Sequence, residues 1–190
     1  MLLLKEKILE EGKILSGQVL KVSSFLNHQI DSDLMMEIGR EIAKRFQDAG
    51  ITKIMTIESS GIVVALAAGA ALHKPVLFAK KHLSSNVSGI LYQTLVHSFT
   101  HGTDYTIVVE REYLSADDRI LIVDDFLANG KAPEGLLDLI AQAGAEAAGA
   151  AFVIEKGFQE GGSRLRTRGL RVESLAVIDK MDQDGILFRD

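Results

Sequence analysis

Apolar positions change their spacing along the 190-residue chain. Leu4 and Ile8, four apart, make residues 3–11 a short amphipathic helix that Gly12 stops. Asp31 is placed to cap a second helix, whose stripe is Leu34, Ile38, Ile42 and Phe46 and which Gly50 closes. From residue 53 the grammar is different. Residues 53–57 (KIMTI) are a short β-rich run, followed by Glu58-Ser59-Ser60-Gly61 and an alanine-rich helical stretch to about Leu72. Pro75 introduces a second short strand, VLFA. Residues 120–123 are consecutive aliphatics, followed by a turn and a helix to about Ala143; Gly144 ends it, and residues 150–154 are another buried-looking strand.

Short aliphatic strands separated by helices predict an α/β fold with a parallel sheet covered on both faces. Right-handed crossovers then carry every strand-to-helix loop to one edge of the sheet, where such folds bind ligands. Two loops are expected there, 58–61 and 124–132. Residues 80–104 are polar, serine-rich and weakly patterned, and are read as a mobile functional loop. The first 30 or so residues do not follow the β-α-β grammar; with about residues 171–190 they are expected to form a small hood over the ligand edge.

Composition narrows the choice of function. There are 21 basic and 26 acidic residues, a net charge of −5 and a sequence pI near 5.6, which argue against a nucleic-acid binder working by bulk charge. The absence of cysteine excludes a disulfide framework, thiolate metal sites and a cysteine nucleophile. The longest apolar run, residues 62–72, is far short of the ~20 that span a bilayer. The start, MLLLKEKILEEGK, lacks the order of a signal peptide, so a soluble, single-domain, cytoplasmic protein without a membrane is expected.

The candidate chemistry lies in ILIVDDFLANGKA, residues 120–132. The aliphatic run is read as a buried strand ending at Asp124 and Asp125. The small residues Ala128, Asn129, Gly130, Lys131 and Ala132 then open a helix. They let the backbone come close enough for several N–H groups to converge on one anion, and the helix terminus adds its dipole. A phosphate is the natural guest. Adjacent acids on a strand point to opposite faces, so they are poorly placed as a glycosidase pair. They can accept from sugar hydroxyls or hold Mg²⁺ through water, or act as turn formers and helix-capping acids. A Walker A loop is disfavoured, because its first glycine falls at Asp125 and its Ser/Thr at Ala132. His97 and His101 have a helical metal spacing but no accompanying acid or thiolate, and no protein-held metal is expected.

This segment resembles the phosphoribosyl-diphosphate-binding signature of type I phosphoribosyltransferases, with both loop threonines of the usual Thr-Gly-Gly-Thr replaced. GQVLKVSSFLNHQID, TKIMTIESSGI, DDFLANGKA, and VIEKGF followed by GLRVESLA resemble the bacterial xanthine-using branch of that family over nearly the full length. The resemblance implies transfer of the 5-phosphoribosyl group from 5-phosphoribosyl-1-diphosphate to N9 of xanthine, giving xanthosine 5′-monophosphate and diphosphate. It also implies Mg²⁺ bound with the sugar diphosphate, a purine-salvage role and a cytoplasmic homodimer. The alternatives are guanine or hypoxanthine as the base, or a non-catalytic purine-sensing regulator of the same fold. The regulator would need a DNA-binding segment ahead of residue 1 and a basic face.

Carried over residue by residue, the backbone of residues 128–132 matches the 5′-phosphate loop, and Asp124 and Asp125 match the acids holding the ribose hydroxyls. Glu58, Ser59, Ser60 and Gly61 match the diphosphate loop, although Ser59 or Ser60 serves equally as an ordinary helix cap. Lys80 and Lys81 stand where basic residues of relatives neutralise diphosphate, an arrangement that can reach across a dimer interface; the alternative is a solvated basic strand end. Leu20, Asn27 and Lys156 match the base-binding positions. Xanthine carries oxygens at C2 and C6, and Lys156 has donors only, which suits an oxygen and not adenine's amino group. Taken alone, these residues read as a core leucine, a turn asparagine and a surface lysine. Phe126 or Phe158 is a candidate to stack on the base, or to pack in the core. An acid found further along the loop in some relatives falls at Ala128, so no general base is assigned.

Overall fold

The computed structural model describes residues 1–15, 19–81, 89–98, 103–183 and 185–189. In chain order the elements are α1 (Leu2–Glu11), β1 (Lys13–Ile14), β2 (Leu20–Lys21), α2 (Ser32–Phe46), β3 (Lys53–Ile57), α3 (Gly61–Leu72) and β4 (Val76–Ala79). They continue with β5 (Leu91–Ser98), β6 (Thr103–Glu110), β7 (Arg119–Leu127), α4 (Lys131–Gln142), β8 (Glu146–Lys156), α5 (Gly161–Thr167), β9 (Val172–Asp182) and β10 (Gly185–Phe188).

The main sheet has six strands in the order β10-β9-β8-β7-β3-β4. All its pairings are parallel except that of β10 with β9. This is the expected α/β sheet with helices on both faces. Alternation along β7 explains the two layers. Leu121 and Val123 pack with α1, α2 and α3, whose stripe includes Leu4, Ile38, Ile42 and Phe46. Ile120 and Ile122 pack on the other face with Leu136 and Leu139 of α4 and with Ile107 and Val109 of β6. The cap expected at Asp31 is present, its side chain accepting from the Leu34 amide at 3.1 Å.

Three expectations are corrected. First, β7 does not end at Asp124 and Asp125 but runs on to Leu127. Its pairing with β3 stops at Ile122, but pairing with β8 continues to Leu127, so the two acids stand on a strand with one neighbour missing. Second, residues 91–98, expected within an unpatterned loop, form β5 and pair antiparallel with all of β6. His97 is therefore on a strand, with Asp104 2.5 Å from its Nδ1; His101 lies outside the described residues, as do 82–88 and 99–102 of the expected mobile loop. Third, residues 172–182, expected in the hood, are a full strand of the main sheet. The N-terminal segment lies against this strand: the Met1 amino group donates to Leu175 O at 2.5 Å, and Lys5 Nζ to Arg189 O at 2.7 Å.

Candidate active site

Past Ile122, β7 outruns β3, and both acids stand on that part of the strand. Asp124 and Asp125 take different partners, although their carboxylates stay close enough to act on each other. Asp125 is 7% exposed, and its Oδ2 accepts from Asn27 Nδ2 at 3.1 Å, which brings the N-terminal segment onto the acid pair. Asp124 turns toward Gly61 at the start of α3. A side chain at Gly61 would overlap both Asp124 Oδ1 and Thr56 Oγ1, so glycine is what lets α3 approach the carboxylate. Thr56 Oγ1 is buried and has no hydrogen-bond partner among the described residues.

Crowding sets the electrostatics. Burial, then the neighbouring Asp125 carboxylate, hold Asp124 well above the usual carboxylate range, while the Asp125 amide and Lys81 act in the opposite direction. Burial and the charge of Asp124 likewise push the Tyr105 phenol up. Lys81 Nζ stands 5.2 Å from the centre of the Tyr105 ring, so Lys81, Tyr105 and Asp124 form one group at the sheet edge.

The turn after β3 contains a cis Glu58–Ser59 peptide. The Glu58 carboxylate accepts from the Lys81 amide at 2.6 Å, and the Glu58 amide donates to Ala79 O at 3.1 Å; both bonds hold the end of β4 beside the turn. Ser60 takes the cap position of α3 but its side chain makes no cap hydrogen bond, so the capping alternative does not use this hydroxyl.

After β7 the chain bends at Gly130, whose φ of +81° favours glycine, and enters α4. The Asn129 side chain accepts from the Lys131 amide at 3.1 Å. Among the described residues the amides of Asn129, Gly130 and Ala132 have no protein acceptor. Lys131 Nζ pairs with Glu134 at 3.1 Å.

Lys156 is the last residue of β8, at the same end of the sheet; burial lowers its pKa. Leu20 is buried at 6% exposure, and Phe126 and Phe158 are partly buried against the same core, the packing alternative for both rings. Lys80 forms a bridge with Val108 of β6. The structure thus joins Asn27 to Asp125, and Gly61 and Lys81 to Asp124, and it sets Lys156 at the same edge of the sheet.

Sequence reasoning missed Thr56, Tyr105 and a buried network behind Lys156. Glu155, 2% exposed, accepts two hydrogen bonds from Arg166 at 2.7 and 2.8 Å and one from Ser174 at 2.5 Å. Burial alone would raise Glu155; Arg166 and Ser174 outweigh it, and its pKa lies below the ordinary value. A glutamate directly before Lys156 carried no signal of burial, because its partners come from α5 and β9.

A mostly parallel α/β sheet carries, at one end of its strands, the small-residue bend, the strand-borne acid pair and a second loop under a glycine. A model of the phosphoribosyl transferase domain matches residues 27–182, and the chain belongs to this phosphoribosyltransferase family. Xanthine phosphoribosyltransferase from Bacillus cereus is 53% identical over 188 residues, 99% of this chain and 95% of that protein. The xanthine phosphoribosyltransferase of Oceanobacillus iheyensis is 50% identical, over 99% of this chain and 97% of that protein. Among solved structures, APRTase from Giardia lamblia complexed with 9-deazaadenine has a TM-score of 0.78 at 18% identity, covering 92% of this chain and 96% of that one. Adenine phosphoribosyltransferase from Rhodothermus marinus has a TM-score of 0.74 at 23% identity, covering 94% and 100%. These structural likenesses concern the fold.

Proposed function

We propose that the chain transfers the 5-phosphoribosyl group from 5-phosphoribosyl-1-diphosphate to N9 of xanthine, releasing diphosphate and xanthosine 5′-monophosphate in purine salvage. The observation that carries this reading is the bend after β7, where amides of residues 129, 130 and 132 lack acceptors among the described residues beside two carboxylates. The names of relatives about half identical over nearly the whole chain support xanthine as the base. A cytoplasmic homodimer is part of the same proposal, as the family resemblance implies. No helix among the described residues is long and apolar enough to cross a membrane.

In this reading the amides of residues 128–132 bind the 5′-phosphate, and Asp124 and Asp125 accept from the ribose hydroxyls. The backbone and hydroxyls of Ser59, Ser60 and Gly61 receive the diphosphate, with Lys81 nearby; Glu58 acts by holding Lys81's main chain in place. Asn27 and Lys156 donate to the purine oxygens, and Leu20 shapes the pocket.

The residues fit a substrate-borne Mg²⁺. Asp124 and Asp125 offer hard oxygen donors, and the like-charge crowding that raises Asp124 is what a cation relieves. An ion held by so few carboxylates keeps water and substrate oxygens in its shell. Bound there, Mg²⁺ would offset charge on the leaving diphosphate. The protein's own part is to align the two substrates, a contribution of up to about 7–11 kcal/mol, and to present fixed N–H dipoles to the phosphates.

The test is diphosphate release with Mg²⁺, phosphoribosyl diphosphate and, in turn, xanthine, guanine, hypoxanthine, adenine or orotate. Xanthine is expected to turn over fastest. Faster guanine or hypoxanthine would move the assignment to that base. Adenine ahead of xanthine would remove Lys156 from the role given to it, and no turnover with any base would overturn the enzyme reading.

A further inference from the structure

The loop after β7 is held from behind by α5. Gly161 N donates to Ala128 O at 3.1 Å, and Arg164 Nη2 donates to Asn129 O at 2.9 Å. The only cis peptide among the described residues is elsewhere, at Glu58–Ser59, so both loop peptides are trans. In a trans peptide the C=O and the following N–H point in opposite directions. Fixing the Ala128 and Asn129 carbonyls toward α5 therefore directs the Asn129 and Gly130 amides away from it, to the open side of the bend. Packing enforces the approach: any side chain at Gly161 would overlap Ala128 O and crowd Gly130 N.

Arg164 is held in turn. The same Nη2 is 2.7 Å from Glu134 Oε1, and Glu134 Oε2 is 3.1 Å from Lys131 Nζ, so α4 and α5 are clamped around the loop by one carboxylate between two cations. Glu134 also donates its amide to Gly130 O at 3.1 Å. Arg164 Nε is buried without a partner among the described residues, so the guanidinium is committed to its Nη side.

We propose that Arg164 is a positioning residue for the 5′-phosphate site: by holding the Asn129 carbonyl it aims the Gly130 amide at the sugar phosphate. Arg164 touches no substrate. It converts a flexible glycine bend into a preformed anion cradle. This inference rests on the proposed function for the identity of the phosphate.

The test compares Arg164→Ala, Arg164→Lys and Arg168→Ala. Arg168 approaches the same Glu134 oxygen at 3.9 Å but bonds no loop carbonyl. Two readouts are taken: calorimetric binding of ribose 5-phosphate, and steady-state kinetics with xanthine. Arg164→Ala is expected to weaken ribose 5-phosphate and raise KM for phosphoribosyl diphosphate by about tenfold or more, the cost of losing a hydrogen bond from a charged donor. KM for xanthine should stay within about threefold on the same scale of effects. Arg164→Lys, with a single donor nitrogen in place of the guanidinium fork, and Arg164→Ala with added methylguanidinium should recover part of the loss, and Arg168→Ala should match wild type. Unchanged ribose 5-phosphate affinity in Arg164→Ala, equal increases in both KM values, or no recovery by lysine or methylguanidinium would overturn the proposal. If wild type binds ribose 5-phosphate but turns over no base, the functional reading fails while the affinity comparison still decides the role of Arg164. If wild type does not bind ribose 5-phosphate at all, both fail.

Discussion

Asp124 and Gly61 depend on each other. The acid can enter the cleft because the residue opposite has no side chain, and the glycine is required because the carboxylate occupies that space. Gly61→Ala should therefore act on Asp124 before it acts on stability. Overpacking of this kind costs about 1–3 kcal/mol. Falling on the acid pair, it should lower kcat/KM for phosphoribosyl diphosphate by about tenfold or more while the Tm drops by only a few degrees. Wild-type kinetics in Gly61→Ala would show that Asp124 is not needed at its present place. The acid pair itself is legible in the chain, because ILIVDDFLANGKA carries the strand, the acids and the small-residue bend in one segment. Thr56 and Tyr105 are not legible. Each reaches Asp124 from a separate strand, and nothing in KIMTI or TDYTIVVE distinguishes a cleft residue from a strand residue.

Helix α5 and strand β9 close the sheet behind Lys156 through Glu155. Removing Arg166 leaves a buried carboxylate unpaired, which costs about 3–5 kcal/mol for a fully buried pair. Arg166 keeps 39% of its side-chain surface, so screening reduces the expected loss to about 2–3 kcal/mol. Arg166→Ala should lower Tm by about 5–10 °C. A double change of Arg166→Met with Glu155→Leu should recover most of that. The pH dependence has a definite sign. Glu155 titrates below its unfolded value of about 4.3, so its contribution is present above that pH and lost as pH falls through the folded pKa. Acid unfolding of Glu155→Gln should accordingly be less steep below about pH 4 than that of wild type. An identical acid limb would show that Glu155 is not the titrating group. Two elements depart from the pattern in the chain for physical reasons. The Leu91–Ser98 strand alternates weakly because its apolar residues are not confined to one face: Val96 is buried while Leu95, pointing the other way, is 65% exposed. Strand β9 resembles a hood segment because a strand bonded on both sides, with Ser174 and Glu173 in polar networks, need not be uniformly apolar.

At the scale of the whole molecule, the proposed ligand site gathers groups that are costly without partners. Two carboxylates are crowded at a sheet end, and among the described residues a threonine hydroxyl is buried without a partner and several loop amides face no protein acceptor. Binding that supplies these partners must stabilise the fold by mass action. At a hundredfold excess over Kd the gain is about 2.7 kcal/mol, or about 5–10 °C in Tm for a domain of this size. Phosphoribosyl diphosphate with Mg²⁺ should produce that shift, and xanthine alone a much smaller one. No shift with the sugar diphosphate in a protein that remains folded would count against the cradle.

Local chemistry made the parallel α/β sheet, the α2 cap at Asp31, the bend at Gly130 and the family signature readable in the chain. Each depends on residues close together in sequence, so propensity, periodicity and small-residue spacing report them directly. The partners of those residues could not be read there. Asn27 meets Asp125 from 98 positions away, Arg164 meets Asn129 from 35, and Glu155 finds its hydrogen-bond partners 11 and 19 residues further on. Which charges are buried, which amides face outward and which strand lacks a neighbour follow from chain packing in three dimensions, where desolvation and peptide geometry act between segments that carry no mark of each other.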